Sequence, residues 1–293
     1  MNTTKKVYRP RSVKRHRCTK DQLLEIQDAI YDVLAEDHPQ SLRHVFYCIA
    51  GTLTIGKDDA GYRVIQRELL KLRREGRVPY LWVSDGTRWR RVGTSFDSPA
   101  EAVRWAARTY RRDLWRRTPV YVEVWCESDS IAGVLFEETN RYNVPLMVSR
   151  GFSFETYLYR AAEDISHEDR PAYIYYVGDW DPSGKLIPES IEKKLREFAP
   201  DAEIRFERLL VNPDQIHEWH LTTKPAKKKS THARDWEGGT VEAEAVPARL
   251  TRQIVREAIE QHLDLHEVGV METTEDSERE WLTAIAKSME AAQ

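Results

Sequence analysis

The chain has 293 residues, 41% hydrophobic and 32% charged, which is enough for two domains with real cores in a soluble globular protein. It holds no apolar run of 18 or more residues, and no apolar stretch follows its basic N-terminus, so neither a membrane span nor a secretory signal is expected. The net charge of −3 hides an asymmetry: residues 1–119 carry 25 Lys and Arg against 14 Asp and Glu, whereas residues 120–293 carry 20 against 34. A basic front half suggests a polyanionic partner, and an acidic back half suits a cation site.

Residues 1–20 hold eight Lys or Arg and no acid. They read as a flexible arm that tracks nucleic-acid phosphates or as a disordered solubilising tail. Thr19 and Gln22 fit a capping box opening a helix in which Leu23, Ile26, Ile30, Val33 and Leu34 recur at helical spacing, ended by Pro39. Ser41 opens a second helix with Leu42, Val45, Phe46 and Ile49 on its apolar face. A third helix puts Tyr62, Ile65, Leu69 and Leu72 on one stripe, with Arg67, Lys71, Arg73 and Arg74 largely off it, and Gly76 stops it. Two strand-like runs, 78–84 and 87–92, flank Asp85-Gly86, a hairpin signal. Three helices followed by a hairpin is the layout of a winged helix over residues 21–95. The third helix and a wing carrying Arg88, Arg90 and Arg91 then meet DNA phosphates. Residues 96–118 predict an arginine-rich connecting helix from Ser98 to Trp115, its arginines lining a DNA channel or forming a solvated basic face.

From 119 to 293 the pattern is β-α. Strands are expected at 120–126, 145–149, 173–178 and 204–210, and helices at 130–142, 153–165 and 188–198, the last opened by Pro188. This alternation implies an α/β domain with a mostly parallel sheet and helices on both faces. The strand Tyr173–Val177 runs into Gly178-Asp179-Trp180-Asp181-Pro182-Ser183-Gly184. In extended chain Asp179 and Asp181 project to the same side. Two such carboxylates repel, and a hard divalent cation relieves them. The plainer reading is a strand-to-helix turn in which Asp181 is a cap. The strand Tyr121–Trp125 leads to Glu127. Strand carboxyl ends line one edge of a parallel sheet, so Glu127, Asp179 and Asp181 converge there. Arg150-Gly151, on the same edge, suits a phosphate contact or a plain turn.

A glutamate after one strand and Asp-x-Asp after a later one resembles the TOPRIM domain of topoisomerases, primases and related nucleases. Gly-Asp-Trp-Asp-Pro-Ser-Gly is most similar to the version in the topoisomerase VI A subunit and its meiotic double-strand-break relatives. In the front half, Arg43-His44-Val45-Phe46-Tyr47 resembles that family's active-site segment, which ends in a nucleophilic tyrosine. The resemblance implies Tyr47 as nucleophile with Arg43 beside it, and Mg²⁺ (or Mn²⁺) held by Glu127, Asp179 and Asp181. It also implies a homodimer on double-stranded DNA in which Tyr47 of one subunit works beside the metal site of the other, giving 5′-phosphotyrosyl double-strand breaks. The size resembles the compact A-like proteins of phages, plasmids and other mobile elements. Ser128 stands where relatives often have lysine. Strand passage then needs a separate ATPase subunit of the B type.

The remaining candidates are weaker. Glu242 and Glu244, in the alternating run 241–245, share a face and are secondary metal candidates. The basic segment 212–240, with Lys224, Lys227, Lys228, Lys229 and Arg234, reads as a loop over DNA or a disordered loop. His217/His220 and His262/His266 have metal-compatible spacing but no further ligand nearby, and read as surface or packing residues. The tail predicts helices at 247–263 and 276–290. Cys18, Cys48 and Cys126 are too far apart for a disulfide framework, which fits a reducing cytoplasm. Two rival functions stand beside DNA cleavage by Tyr47: a TOPRIM nuclease using metal-activated water, with Tyr47 structural, and a non-catalytic DNA-binding regulator.

Overall fold

The computed structural model describes residues 18–51, 53, 55–84, 93–149, 155–225, 236 and 238–291. The arm 1–17, the wing with Arg88, Arg90 and Arg91, the Arg150-Gly151 turn and the basic run 226–235 lie outside the described residues.

The front of the chain is a three-helix bundle. Helix α1 (Lys20–Glu36) opens with the expected capping box: Gln22 N–H donates to Thr19 Oγ1 at 3.2 Å, and Thr19 N–H donates to Gln22 Oε1 at 2.8 Å. A short strand, β1 (Gln40–Ser41), leads into α2 (Leu42–Ile49), capped by Ser41, and α3 (Asp59–Arg74) is capped by Asp58. Ile26, Ile30, Leu34, Val45, Ile49, Ile65 and Leu72 form the core, each at most 1% exposed. Burying each such side chain stabilises by ~1.5–3 kcal/mol. The run 78–84 is not one strand. Pro79 fixes the start of a 3₁₀ turn at Tyr80–Trp82, leaving only β2 (Val83–Ser84), which pairs parallel with β1.

Helix α4 (Pro99–Thr109) stops short of the predicted Trp115 because the C-terminal helix takes its next backbone groups. Arg279 donates to the Tyr110 carbonyl at 2.7 Å, and Glu275 accepts from Arg112 N–H at 2.7 Å. Arg112 also pairs with Glu278 at 3.5 Å and Arg104 pairs with Glu290, so these two arginines hold the tail rather than stand free.

The back half is α/β. Strands β3 (Tyr121–Cys126), β4 (Leu146–Val148), β5 (Ala172–Val177) and β6 (Ile204–Leu210) form an all-parallel sheet in the order β4-β3-β5-β6. Val122, Val124, Cys126, Tyr175 and Val177 face one layer, with α5 (Asp129–Arg141) and α9 (Ala248–Glu260). Trp125, Ile174 and Tyr176 face the other, with α6 (Glu155–Ser166) and α7 (Pro182–Phe198). Glu123 is buried in that second layer, where Tyr121 Oη and Trp125 Nε1 each donate to it at 2.7 Å. The chain leaves β3 on one side through α5 to β4, then crosses back through α6 to β5 on the other. The topological switch point therefore lies between the carboxyl ends of β3 and β5, where ligands bind in open parallel sheets.

Helix α7 begins at Pro182, not Pro188. Asp181 caps it, accepting from Gly184 N–H at 2.6 Å, and Pro182 occupies the first turn. Pro188 is interior and leaves the Gly184 carbonyl without its helical donor. Arg208 Nη1 supplies one at 2.9 Å. Gly184 itself is dictated by contact, since a Cβ there would stand 2.2 Å from the Asp179 carbonyl oxygen.

After a short α8 (Pro213–Glu218), β7 (Lys224–Pro225) pairs antiparallel with β8 (Gly239–Thr240). The last helix, α10 (Leu265–Ala291), starts well before the predicted residue 276. Arg252 of α9, only 6% exposed, reaches across to Asp37 at the end of α1 and ties the bundle to the sheet layer. Among the described residues no helix is long and apolar enough to cross a membrane.

Candidate functional site

The switch point presents Glu127 at the end of β3 and Asp179 just past β5. The β3–β5 ladder continues one step beyond the strands, Glu127 N–H donating to the Val177 carbonyl at 3.2 Å. Asp179 N–H then donates to Glu127 Oε2 at 3.3 Å. The segment after β8 closes over this edge. Trp180 and Val241 exchange backbone hydrogen bonds at 2.7 and 2.9 Å, and Ala243 N–H donates to Asp179 Oδ1 at 2.8 Å. That clamp brings Glu242 and Glu244 to the same edge, although residues 243–245 form a 3₁₀ turn instead of the alternating extended run expected.

The electrostatics are those of an anion-rich rim. Burial, followed by the charges of Glu127 and Glu244, holds the Asp179 carboxyl well above its ordinary range. Burial likewise raises Glu127, with Asp181 adding to the shift and the Asp179 N–H opposing it. Among the described residues no group of three or more His, Cys, Asp or Glu side chains is placed to hold a metal ion. Internal donors explain why. Asp179 faces the Ala243 N–H, Asp181 caps α7, and the buried Glu244 accepts from Ser130 Oγ. The donor chemistry fits Mg²⁺ in kind, because these are hard oxygen ligands, with Arg43 beside Glu244 and Arg208 near Glu127 and Asp179 offsetting part of their charge.

The front bundle delivers its own pair to this rim. Arg43 and Tyr47, one turn apart on α2, share a face. Arg43 Nη1 donates to Glu242 Oε2 at 2.9 Å, and its Nε lies 3.9 Å from Glu244 Oε1. Tyr47 is half-buried, its ring edge-on to Phe46, and its hydroxyl accepts from Lys224 Nζ at 2.5 Å. Lys224 also reaches Glu242 Oε1 at 3.3 Å, and its ammonium sits 4.8 Å from the Tyr47 ring centroid. Burial, then the charge and hydrogen bond of Glu242, push the Tyr47 phenol far above its usual value, with Arg43 opposing. Burial works against the Glu242 charge, yet Arg43, Tyr47 and Lys224 hold that carboxyl below the usual range. The preceding His44 serves the core. It is fully buried, bonded to Ser41 at 3.0 Å, and pushed down to about 3 by burial and then by Arg252.

Comparison of the chain with protein-family models, with curated proteins and with solved structures finds no match.

The structure thus brings together Arg43, Tyr47, Glu127, Asp179, Asp181, Glu242 and Glu244. It does not bring the α3 cations to that edge as partners of the acids. Arg67 pairs with Glu68 at 2.8 Å, Lys71 lies 3.8 Å from Glu75, Arg73 stacks 4.4 Å over the Tyr80 ring, and Arg74 is exposed on the same helix. His262 shares a 2.7 Å hydrogen bond with Tyr175 Oη.

Sequence reasoning missed Arg208, and read Lys224 only as one lysine of a basic loop, not as a neighbour of Tyr47. Arg208 lies between the Tyr176 and Trp180 rings, 5.5 and 5.6 Å from their centroids. It donates to the carbonyls of Val211 at 2.8 Å, Gly184 at 2.9 Å and Gly178 at 3.1 Å, and also to that of Asp179. Its signal was an arginine alternating with Phe206 and Leu210 where an apolar side chain is expected. Lys224 opens a lysine-rich run and carries no distinguishing pattern. Arg208→Met leaves these carbonyls unpaired and is expected to cost about 2–4 kcal/mol in urea denaturation. Arg208→Lys recovers less than half of that, since an ammonium cannot reproduce the fork.

Proposed function

We propose that this chain cleaves double-stranded DNA by transferring a backbone phosphoryl group to Tyr47, in the manner of a type IIB topoisomerase A-like protein. In this reading residues 21–95 are a winged helix, residues 119–293 a TOPRIM domain, and Glu127, Asp179 and Asp181 hold Mg²⁺ or Mn²⁺. The support is a single patch in which a tyrosine and an arginine from the front bundle meet the acids of the sheet's switch point, with Arg43 bonded to Glu242 at 2.9 Å.

The Tyr47 oxygen attacks the phosphorus. The new P–O bond to tyrosine forms as the bond to the 3′ oxygen breaks, leaving a 5′-phosphotyrosyl link and a 3′ oxygen that takes a proton from solvent to become the 3′ hydroxyl. The phenol proton passes to Glu242, whose carboxylate shares the Lys224 ammonium with the Tyr47 hydroxyl. Arg43 neutralises the phosphate, and in doing so leaves Glu242 with one cation fewer and a stronger affinity for the proton. When bound, the metal supplies charge withdrawal from the phosphate and the leaving oxygen. Resealing reverses these steps. Double-strand breaks call for a homodimer acting in the cytoplasm on the nucleoid, and strand passage for a separate ATPase subunit.

One observation favours a second reading, hydrolysis by water with Tyr47 structural: burial and Glu242 hold the phenol in its protonated form. Incubating supercoiled plasmid with the protein and Mg²⁺, then denaturing with and without protease, separates the two. DNA trapped on protein until protease is added supports the tyrosine reading. Nicked or linear DNA that is free before protease supports hydrolysis.

A further inference from the structure

The mechanism above leaves the charge on the Tyr47 oxygen without a dedicated partner. Arg43 is bonded to Glu242 and is the group that turns to phosphate, so it does not serve both tasks. Lys224 stands apart from that exchange. It belongs to β7, whose pairing with β8 sets its backbone: Lys224 registers with Thr240, and the Lys224 carbonyl accepts from Thr240 Oγ1 at 3.1 Å. Its ammonium makes two polar contacts, to the Tyr47 hydroxyl at 2.5 Å and to Glu242 at 3.3 Å. Tyr47 also borders an open surface depression shared with Lys57, His220 and Thr222.

We infer that Lys224 is a catalytic residue: its ammonium holds the Tyr47 oxygen in place and balances the negative charge that gathers there while the phenol proton leaves to Glu242 and the bond to phosphorus forms. The same contact serves the reverse step, in which the tyrosine oxygen leaves phosphorus and the 3′ oxygen returns. The inference rests on the tyrosine reading and adds to it a cation from the sheet domain, on a segment that shares no element with Arg43. A preorganised cation at a developing oxyanion in a partly desolvated place acts on the transition state more than on binding, because the uncharged phenol needs it less.

The test is single-turnover formation of protein-linked DNA with a labelled duplex and Mg²⁺. Lys224→Met is expected to lower the rate about 10²–10³-fold, the range for removing one such donor, with duplex affinity within about threefold of wild type. Lys224→Ala should behave alike and recover at least tenfold on addition of ethylamine, which wild type ignores. Lys224→Arg should stay within about tenfold of wild type and, having kept the charge, decides the case if the shortened variants lose their thermal transition. Wild type that traps DNA while Lys224→Met traps it equally fast overturns this inference alone, as does Lys224→Ala that ethylamine leaves unchanged. Wild type that traps none overturns the tyrosine reading and this inference with it.

Discussion

Tyr47→Phe is expected to abolish protein-linked DNA, a loss of at least ~10³-fold in covalent trapping, because no other group on α2 can replace the nucleophile. The fold should hardly notice. The ring stays against Phe46 and the bundle core, and only the hydroxyl's contact with Lys224 at 2.5 Å is removed. With Tyr47→Phe, Glu242 keeps Arg43 and Lys224, so no carboxylate is left unpaired. A variant with an unchanged melting temperature, unchanged DNA affinity and no trapped DNA isolates the chemistry. A variant that still breaks plasmid, with free ends, shifts the assignment to water and makes the tyrosine a packing residue. The resemblance to the topoisomerase VI A family implies that tyrosine and acids come from different subunits, yet here one chain sets both in one hydrogen-bonded patch. Mixing Tyr47→Phe with Asp179→Ala tells these apart. Recovery of at least a quarter of the wild-type trapping identifies exchange between subunits, and no recovery identifies a site complete within each chain.

The sheet was legible because its code is redundant. Three largely apolar runs and one alternating run at 204–210 are interleaved with amphipathic helices, and the strands lie within a residue or two of expectation. Glu127 and Asp179 followed from the same logic, since residues just past adjacent parallel strands share an edge whatever their side chains do. The errors came where side chains, not local pattern, decide the backbone. Pro188 looked like a helix start, but the Asp181 cap is stronger and Arg208 fills the carbonyl that the proline strands. The arginine-rich helix ended early because Glu275 and Arg279, more than 160 positions away, claim its next backbone groups. Lys224 was legible only as one cation of a basic loop, for a related reason. Its role is set by a β7–β8 pairing of two residues per strand, too short to leave a periodic trace.

Asp179→Asn should do two things at once: remove cleavage by at least ~10³-fold and make the metal-free protein more stable. The sign follows from the direction of its shift. Burial, Glu127 and Glu244 raise the folded-state value of Asp179 above the unfolded one. The stability contributed by its protonated form is therefore fully present at acid pH and lost as pH rises through the folded value. At pH 8 the folded protein bears the cost of that buried carboxyl among like charges, whether by ionising it or by keeping its proton, and asparagine removes that cost. The amide oxygen still accepts from the Ala243 N–H, so the clamp over the switch point survives. A rise in melting temperature of about 2–4 °C at pH 8, shrinking toward pH 5, is the expected size for ~1 kcal/mol in a chain of this length. Mg²⁺ relieves the same repulsion from the other side, since it binds the ionised carboxylates and stabilises only the folded form. Wild type should therefore gain melting temperature on adding Mg²⁺ at pH 8, gain less at pH 5, and lose the gain on chelation, while Asp179→Asn gains little at either pH. An Asp179→Asn protein that melts lower than wild type at pH 8, or that responds to Mg²⁺ as wild type does, would remove Asp179 from the cation site and leave it a structural acceptor for the Ala243 N–H.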